Sequence, residues 1–232
     1  MQKSEVEQQL VKEGVFQAIS NELAGLNLST NEYLQVANSI LDFALEKNAA
    51  KPLENQGVEV QVDHLPIVTD DLIIRACDPD RDFVHFDAWT RESRGREFLL
   101  SRLENNLEKP EKIFRNPANV FGIVCDPEEK PIGIVGFLNH EKQHGKAELR
   151  KLIGETGYRG KGLGKKASRL WLSYGQHGLK LRKVYLYTFD SNLRNIRINE
   201  ELGFRLEGVF REEHIIDGKP KDILRMYRIL DK

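Results

Sequence analysis

Apolar residues recur at mostly helical intervals at the start of the chain, in Val6, Leu10, Val15, Phe16, Ile19 and Leu23, a spacing that gathers them on one helix face. Gly25 interrupts the run, and Ser29-Thr30-Asn31-Glu32 has the form of a capping box that opens a second helix. The second stripe is Leu34, Ala37, Ile40, Leu41, Ala44 and Leu45. Residues 1–50 therefore predict a helical hairpin whose apolar face must be covered. The rest of the chain, a second copy in a homodimer, or another partner would each cover it. Residues 51–70 lose this periodicity and contain Lys51-Pro52 and Leu65-Pro66. They predict a linker, with a short strand at 58–62 as its one candidate element.

From Leu72 the pattern changes to short apolar runs and helical stretches. Residues 72–76 suit a strand, and Asp78-Pro79-Asp80 is a helix-start signal before Phe83, Phe86 and Trp89. A second helix is expected over 98–107, ending at Pro110. Two apolar runs, 120–125 and 132–138, flank Asp126-Pro127-Glu128-Glu129-Lys130-Pro131 and predict a hairpin. Residues 147–153 form a third strand in series and end at Gly154. A Gly-rich loop and a helix near 163–175 follow, then a strand at 183–189. A helix near 192–202 stops at Gly203, a natural C-cap. Residues 210–216 and 223–230 close the chain as a hairpin around Asp217-Gly218. Strand, helices, three antiparallel strands, helix, strand, helix and two strands make an α+β or mixed α/β layered domain over 71–232, not a doubly wound sheet.

Composition narrows the partners. The 35 Lys+Arg against 36 Asp+Glu leave a net charge of −1, without the basic surplus that bulk nucleic-acid binding requires. Cys77 and Cys125 are the two cysteines; they are far apart and show no metal-ligand spacing, so no metal site is expected and a reducing, cytoplasmic setting fits. No apolar run approaches the roughly 20 residues that span a bilayer, so no membrane association is expected.

The chemistry concentrates at Arg159-Gly160-Lys161-Gly162-Leu163-Gly164, which follows a strand, opens a helix and lies among basic residues. Glycines let backbone N–H groups converge on one point. The helix N-terminus adds partial positive charge and unpaired donors, so a diphosphate is the natural guest. A Walker loop requires a Lys-Ser/Thr ending that this stretch lacks. A Rossmann loop requires GxGxxG after the first strand of a βαβ unit, whereas here the glycines alternate after a strand meander. A glycine-rich turn without a ligand is the bland alternative.

Arg159–Gly164 resembles the (Gln/Arg)-x-x-Gly-x-(Gly/Ala) motif of the GNAT superfamily of N-acyltransferases. Ile153-Gly154-Glu155, Tyr158, Asn192, Asn195, Glu200-Glu201, Gly203-Phe204, Glu207-Gly208, Arg211, Gly218 and Asp222 extend that resemblance through the second half of the chain. The branch is that of ribosomal-protein N-terminal, spermidine and amino-sugar acetyltransferases. The resemblance covers about 72–230 and leaves residues 1–50 outside. It implies an acetyl-CoA-dependent N-acetyltransferase in which Arg159, Gly160, Lys161, Gly162, Leu163 and Gly164 hold the pyrophosphate. It also implies that backbone around Leu152, Ile153 and Gly154 pairs with the pantetheine between two splayed strands, 147–153 and 183–189. Asn192 matches a family cofactor contact, and it equally suits a helix N-cap.

The implied reaction is direct attack of a neutral primary amine on the thioester, which needs a base because alkylamines are mostly protonated at neutral pH. Glu148 is the candidate; its plain alternative is a strand residue paired with Lys146 or Arg150. Many relatives carry a Tyr acid where this chain has Asn199, and some use a Ser where it has Asn195. The acid role is then empty, since a thiolate of pKa about 8.5 leaves readily, or is delegated to water, or is taken by Tyr187 or Tyr185 on the neighbouring strand, where aromatic packing is the plain alternative. A protein N-terminus, a polyamine and an amino sugar remain open as acceptors. Asp82, Asp87, Glu92, Glu97 and Glu104 alternate with Arg91, Arg94, Arg96 and Arg102 in the acceptor-side helices, a mixed pattern that also suits a solvated face. A non-catalytic acyl-CoA sensor using the N-terminal hairpin as its output is the competing function; a structural protein without a cofactor site is a third.

Overall fold

Alternation and turn chemistry translate into one large sheet. The computed structural model describes residues 61–92, 95, 110–216 and 218–230, with residues 17, 21, 22, 25, 26, 29, 32 and 36. The chain divides into two units, Met1–Glu54 and Asn55–Lys232. In the first, Ser29 N–H donates to Glu32 Oε2 at 2.8 Å and Glu32 N–H returns to Ser29 Oγ at 3.4 Å. This reciprocal pair is the capping box that the sequence predicts. The remainder of the helical hairpin, and the helix expected over 98–107, lie outside the described residues.

The second unit runs β1 (Ile67–Val68), β2 (Ile73–Ala76), α1 (Pro79–Arg91), α2 (Pro110–Phe114), β3 (Val120–Cys125), β4 (Pro131–Glu141), β5 (Lys146–Ile153), a 3₁₀ turn at Thr156–Tyr158, α3 (Leu163–His177), β6 (Lys183–Phe189), α4 (Leu193–Glu201), β7 (Arg205–Ile216) and β8 (Lys219–Ile229). This is the mixed layered domain expected. Three details differ from the sequence pattern. Pro110 starts a short helix, where a proline at a first helical position gives up no needed donor. β7 and β8 reach further toward their neighbours in sequence than their apolar runs indicated, because ladder hydrogen bonds extend through polar residues such as Arg205 and Lys219. Gln61 and Val62 are not in a strand, and 58–60 lie outside the described residues. Val62 and Ile67, within the stretch read as linker, are buried in the core.

The sheet order is β1-β2-β3-β4-β5-β6-β8-β7. Neighbours are antiparallel except β5 and β6, which are parallel. β6 pairs with β8 along its whole length, from Lys183↔Ile229 to Phe189↔Ile223. One face carries α3 and α4 over a core that includes Trp171, Phe137, Leu149 and Phe204. Trp171 is fully buried and stacks on Phe137 at 5.5 Å between ring centroids. The other face carries α1 and α2, where Phe86, Phe114, Phe121 and Trp89 pack with Ile134 and Leu152.

An ion pair fixes α1 against this second face. Asp78 caps the helix by accepting from the Asp80 and Arg81 amides. Asp82, in the first turn, takes both Arg75 guanidinium donors at 2.7 Å and the Asp78 amide at 2.8 Å. Burial works against its charge, but Arg75 and the Asp78 amide outweigh that and hold its carboxyl below its ordinary value. Such a lowered pKa contributes stability above the unfolded value, about 3.9, and the contribution fades as pH falls through the folded value. Asp82→Asn is expected to destabilise the fold by about 3 kcal/mol at neutral pH, since it leaves Arg75 without its partner. Urea unfolding at neutral pH and again below about pH 3 checks this: the gap between variant and parent should narrow only once pH falls beneath the unfolded value.

Candidate active site

The site begins where two strands part. β5 and β6 pair only over Lys146↔Lys183, Ala147↔Val184 and Glu148↔Tyr185. Beyond Glu148 the ladder stops, and backbone N–H and C=O groups that face across the gap have no strand partner there. β4 carries a register shift between Leu138 and Glu141 beside this point. Asn139, in the bulge, adopts a positive φ of 51°. Bulges strengthen local twist, which helps turn the end of β5 away from β6.

A cavity of about 600 Å³ occupies the gap. It is lined by residues 149–153 of β5, residues 186–189 of β6, the glycine loop and the first turn of α3. Asn192, Asn195, Ile198 and Asn199 close it from the α4 side. Gly160 and Gly162 both have φ near +80°, a conformation that costs other L-residues roughly 1 kcal/mol or more. Gly162 is the N-cap of α3, so the amides that follow it precede the first intrahelical acceptor and stay open as donors. The sequence expectation that a helix N-terminus presents amides to a bound anion therefore has its geometry.

Of the residues singled out from sequence, Leu152, Ile153, Arg159, Gly160, Gly162, Leu163, Gly164, Tyr187 and Asn192 line this cavity. Glu148, Gly154 and Lys161 do not belong to its lining. Gly154 packs so closely under Trp89 that a Cβ would lie 2.2 Å from the indole, and its N–H donates to the Ile132 carbonyl. Lys161 lies 5.2 Å above the Tyr158 ring. Arg159 serves as a staple: its Nε donates to the Ile153 carbonyl at 2.9 Å and its Nη2 to Glu92 at 2.7 Å. Lys165 pairs with Glu201 at 2.6 Å, and Lys166 pairs with Asp71. Tyr158 donates to Asp126 at 2.6 Å and ties the loop to the β3–β4 turn.

Glu148 sits at the vertex of the splay, 3% exposed and in an ion pair with Arg150. Asn139 Nδ2 donates to its other oxygen at 3.5 Å. Tyr185 and Tyr187 stand on the same face of the sheet, packed edge to face at 5.9 Å, with the Arg225 guanidinium 4.3 Å above the Tyr185 ring. Burial, with Glu148 adding to it, pushes the Tyr185 phenol up to about 12. Asn192 caps α4 by accepting from the Asn195 amide at 3.2 Å, and Asn195 donates to Thr188 Oγ1 at 3.2 Å.

Lys151 is the residue that sequence reading missed. Its Nζ donates to Asn199 Oδ1 at the cavity wall, and burial brings its pKa down to about 7. The signal was present: alternation along β5 places Lys151 with Ala147, Leu149 and Ile153, on the apolar side of the strand. A lysine there conflicts with the local pattern, and such conflicts gather at functional sites. Among the described residues no group of His, Cys, Asp and Glu converges as a metal site.

With this geometry in view, the comparisons are decisive for the family. The family model described as "Acetyltransferase (GNAT) domain" matches residues 69–205. The chain belongs to the GNAT acetyltransferase family. Spermidine N(1)-acetyltransferase of Escherichia coli (strain K12) is 35% identical over 106 residues, covering 46% of this chain and 55% of that protein. Its Vibrio cholerae namesake is 32% identical over 110 residues, covering 47% and 63%. The chain thus spans about half to three-fifths of the length of these curated relatives. The N-acetylaspartate synthetase of Xenopus tropicalis is 26% identical over 197 residues, covering 83% and 69%. Among solved structures, the dodecameric spermidine N-acetyltransferase of Vibrio cholerae superimposes with a TM-score of 0.57 at 25% identity, covering 69% of this chain and 95% of that one.

In this GNAT domain the loop geometry has a direct test. Gly162→Ala meets no neighbouring atom within 4 Å, so it alters only the left-handed backbone at the N-cap. Calorimetric titration with coenzyme A should show roughly tenfold weaker binding, equivalent to the 1–2 kcal/mol cost of holding an L-residue there.

Proposed function

We propose that this chain transfers an acetyl group from acetyl-CoA to a primary amine, by direct attack of the amine on the thioester, and that a polyamine is the acceptor. The observation that carries the reading is the three-residue β5–β6 pairing that opens beside a glycine-capped helix N-terminus. An extended thiol-bearing arm fits such a gap, with its diphosphate on the amides of residues 162–164. The names of the spermidine acetyltransferases similar to this chain favour a polyamine over an amino sugar or a protein N-terminus. The proposal takes 71–232 as the catalytic domain, with Val62 and β1 of the preceding 51–70 stretch packed into its core, and 1–50 as a helical extension through which copies associate.

Within this reading Glu148 is the base. It accepts the amine proton through a bridging water, because it stands behind the cavity at the vertex and does not line it. Arg150 and the Asn139 amide orient its carboxylate. Backbone of residues 152–154 pairs with the cofactor arm, and the Asn192 side chain, while capping α4, faces the cavity. Tyr187 and Lys151 are the side chains on the splayed strands placed to return a proton to the departing sulfur. The reaction belongs in the cytoplasm, a reducing setting that suits the unpaired Cys77 and Cys125. No helix among the described residues is long and apolar enough to cross a membrane.

Thiol release from acetyl-CoA across a panel of spermidine, spermine, a nucleotide-linked amino sugar and a peptide with a free N-terminus tests the proposal. Spermidine or spermine should give the highest kcat/KM. Tight coenzyme A binding with no turnover on any of these amines would instead favour the sensor reading. Glu148→Gln should lower kcat by about 10²–10⁴-fold while leaving coenzyme A affinity near that of the parent; an unchanged rate removes Glu148 as the base. Light scattering of the full chain and of a chain lacking residues 1–50 reads whether that segment sets the assembly, for which the dodecamer of the Vibrio cholerae protein is one precedent.

A further inference from the structure

We propose that Lys151 is the proton donor to the sulfur that leaves during acetyl transfer, with Asn199 as the positioning residue that holds its ammonium at the cavity wall. The inference rests on the acetyl-transfer reading above and assigns one role inside it.

Lys151 lies three residues past Glu148, where β5 has already left β6. It lines the cavity from the face of β5 that packs toward α3 and α4. Asn199 of α4 is completely buried, and its Oδ1 accepts from Lys151 Nζ. Its Nδ2 points to Met226 Sδ at 4.0 Å, so the amide is clamped between β5 and β8. An ammonium carries three donors. Asn199 takes one, which leaves donors for the space between the strands.

Removal from water, with no carboxylate facing it, explains why this lysine can release a proton. No carboxylate is among the residues that line the cavity. Lys165 of α3, Arg194 of α4 and Arg150 of β5 line it as further cations, Arg159 and Tyr158 enter from the loop, and Tyr187 enters from β6; Arg150 is paired with Glu148. The Lys165 and Arg159 charges are directed to Glu201 and Glu92, away from Lys151. Burial brings Lys151 down to about 7, which matches the operating range of an efficient acid–base group. A thiol of pKa about 8.5 is the stronger base of the pair by about 1.5 units, so transfer from the ammonium to the thiolate runs downhill.

The amine lone pair forms the C–N bond at the acetyl carbonyl, and Glu148 receives the amine proton through water. The C–S bond breaks with its electron pair on sulfur. Sulfur takes a proton from Lys151 Nζ, leaving a neutral amine that still donates to Asn199 Oδ1. Water returns a proton to Lys151 and removes one from Glu148, and the products are the amide and the free thiol.

The test is the pH dependence of kcat for the unsubstituted chain, Lys151→Met, Tyr187→Phe and the double variant Lys151→Val with Asn199→Tyr, each with the best amine at saturation. The parent should lose kcat on the basic side as Lys151 deprotonates. Lys151→Met, which keeps the length of the stem, should lose that basic limb and fall at least about tenfold in kcat, with coenzyme A affinity by calorimetry within about threefold of the parent. The double variant, which puts a phenol on the same wall, should recover much of the rate. Retention of both rate and basic limb in Lys151→Met overturns the proposal. So does loss of the limb in Tyr187→Phe alone, or mass-spectrometric evidence that Lys151 itself is acetylated when acetyl-CoA is supplied without amine. Absence of turnover in the parent would overturn the acetyl-transfer reading itself, a result distinct from any of these.

Discussion

The short ladder between β5 and β6 is the constraint on which the rest of the site depends. A parallel pair that continued past Glu148↔Tyr185 would satisfy its own backbone groups and leave no room between the strands. Because each strand is paired on its other side, β5 with β4 and β6 with β8, the two halves of the sheet hold their own ladders while they diverge. Pairing elsewhere is what permits a gap here. The bulge at Asn139 adds twist at the vertex and carries an amide to Glu148, so one irregularity serves both the shape of the site and its chemistry.

Helix packing then decides what the gap can hold. Trp171 and Phe137 seat α3 on the sheet, which brings the glycine-capped end of that helix to the open end of the splay. Trp89 presses on Gly154 and donates to Glu155 at 3.0 Å, fixing where β5 ends. Basic residues near the loop turn out to be committed to structure: Arg159 to Glu92 and the β5 carbonyls, Lys165 to Glu201, Lys166 to Asp71. In the proposed reading, backbone amides and the helix end therefore supply most of the attraction for a diphosphate, an arrangement that works without a dense basic patch. The near-zero net charge of the chain is consistent with a site of that kind.

Much of this was legible in the sequence because it depends on local physics. The strand at Lys183–Phe189, the Asp78 cap, the stop at Gly203 and the reciprocal Ser29–Glu32 box each follow from residues within a few positions of one another. The glycine loop was legible for the same reason, since φ near +80° at Gly160 and Gly162 is a demand that few other residues meet. Pro110 reads from sequence as a stop, and in the structure it opens the short helix α2.

What the chain alone determined was the donor half of the site: a strand, a glycine turn and a helix N-terminus in immediate succession, with their amides converging. Tertiary structure decided how Glu148 and Lys151, the groups that the proposed mechanism assigns to proton transfer, are arranged. Glu148 and Lys151 are three residues apart and on opposite faces of β5, yet the splay gives Lys151 the cavity wall and sets Glu148 behind its vertex, beside Arg150 and Asn139. Asn199 reads from sequence as the loss of an acid; packed against β5 it becomes the acceptor that holds a half-buried lysine. Protonation depends on burial and on charges brought from distant parts of the chain, and neither is written in the local pattern.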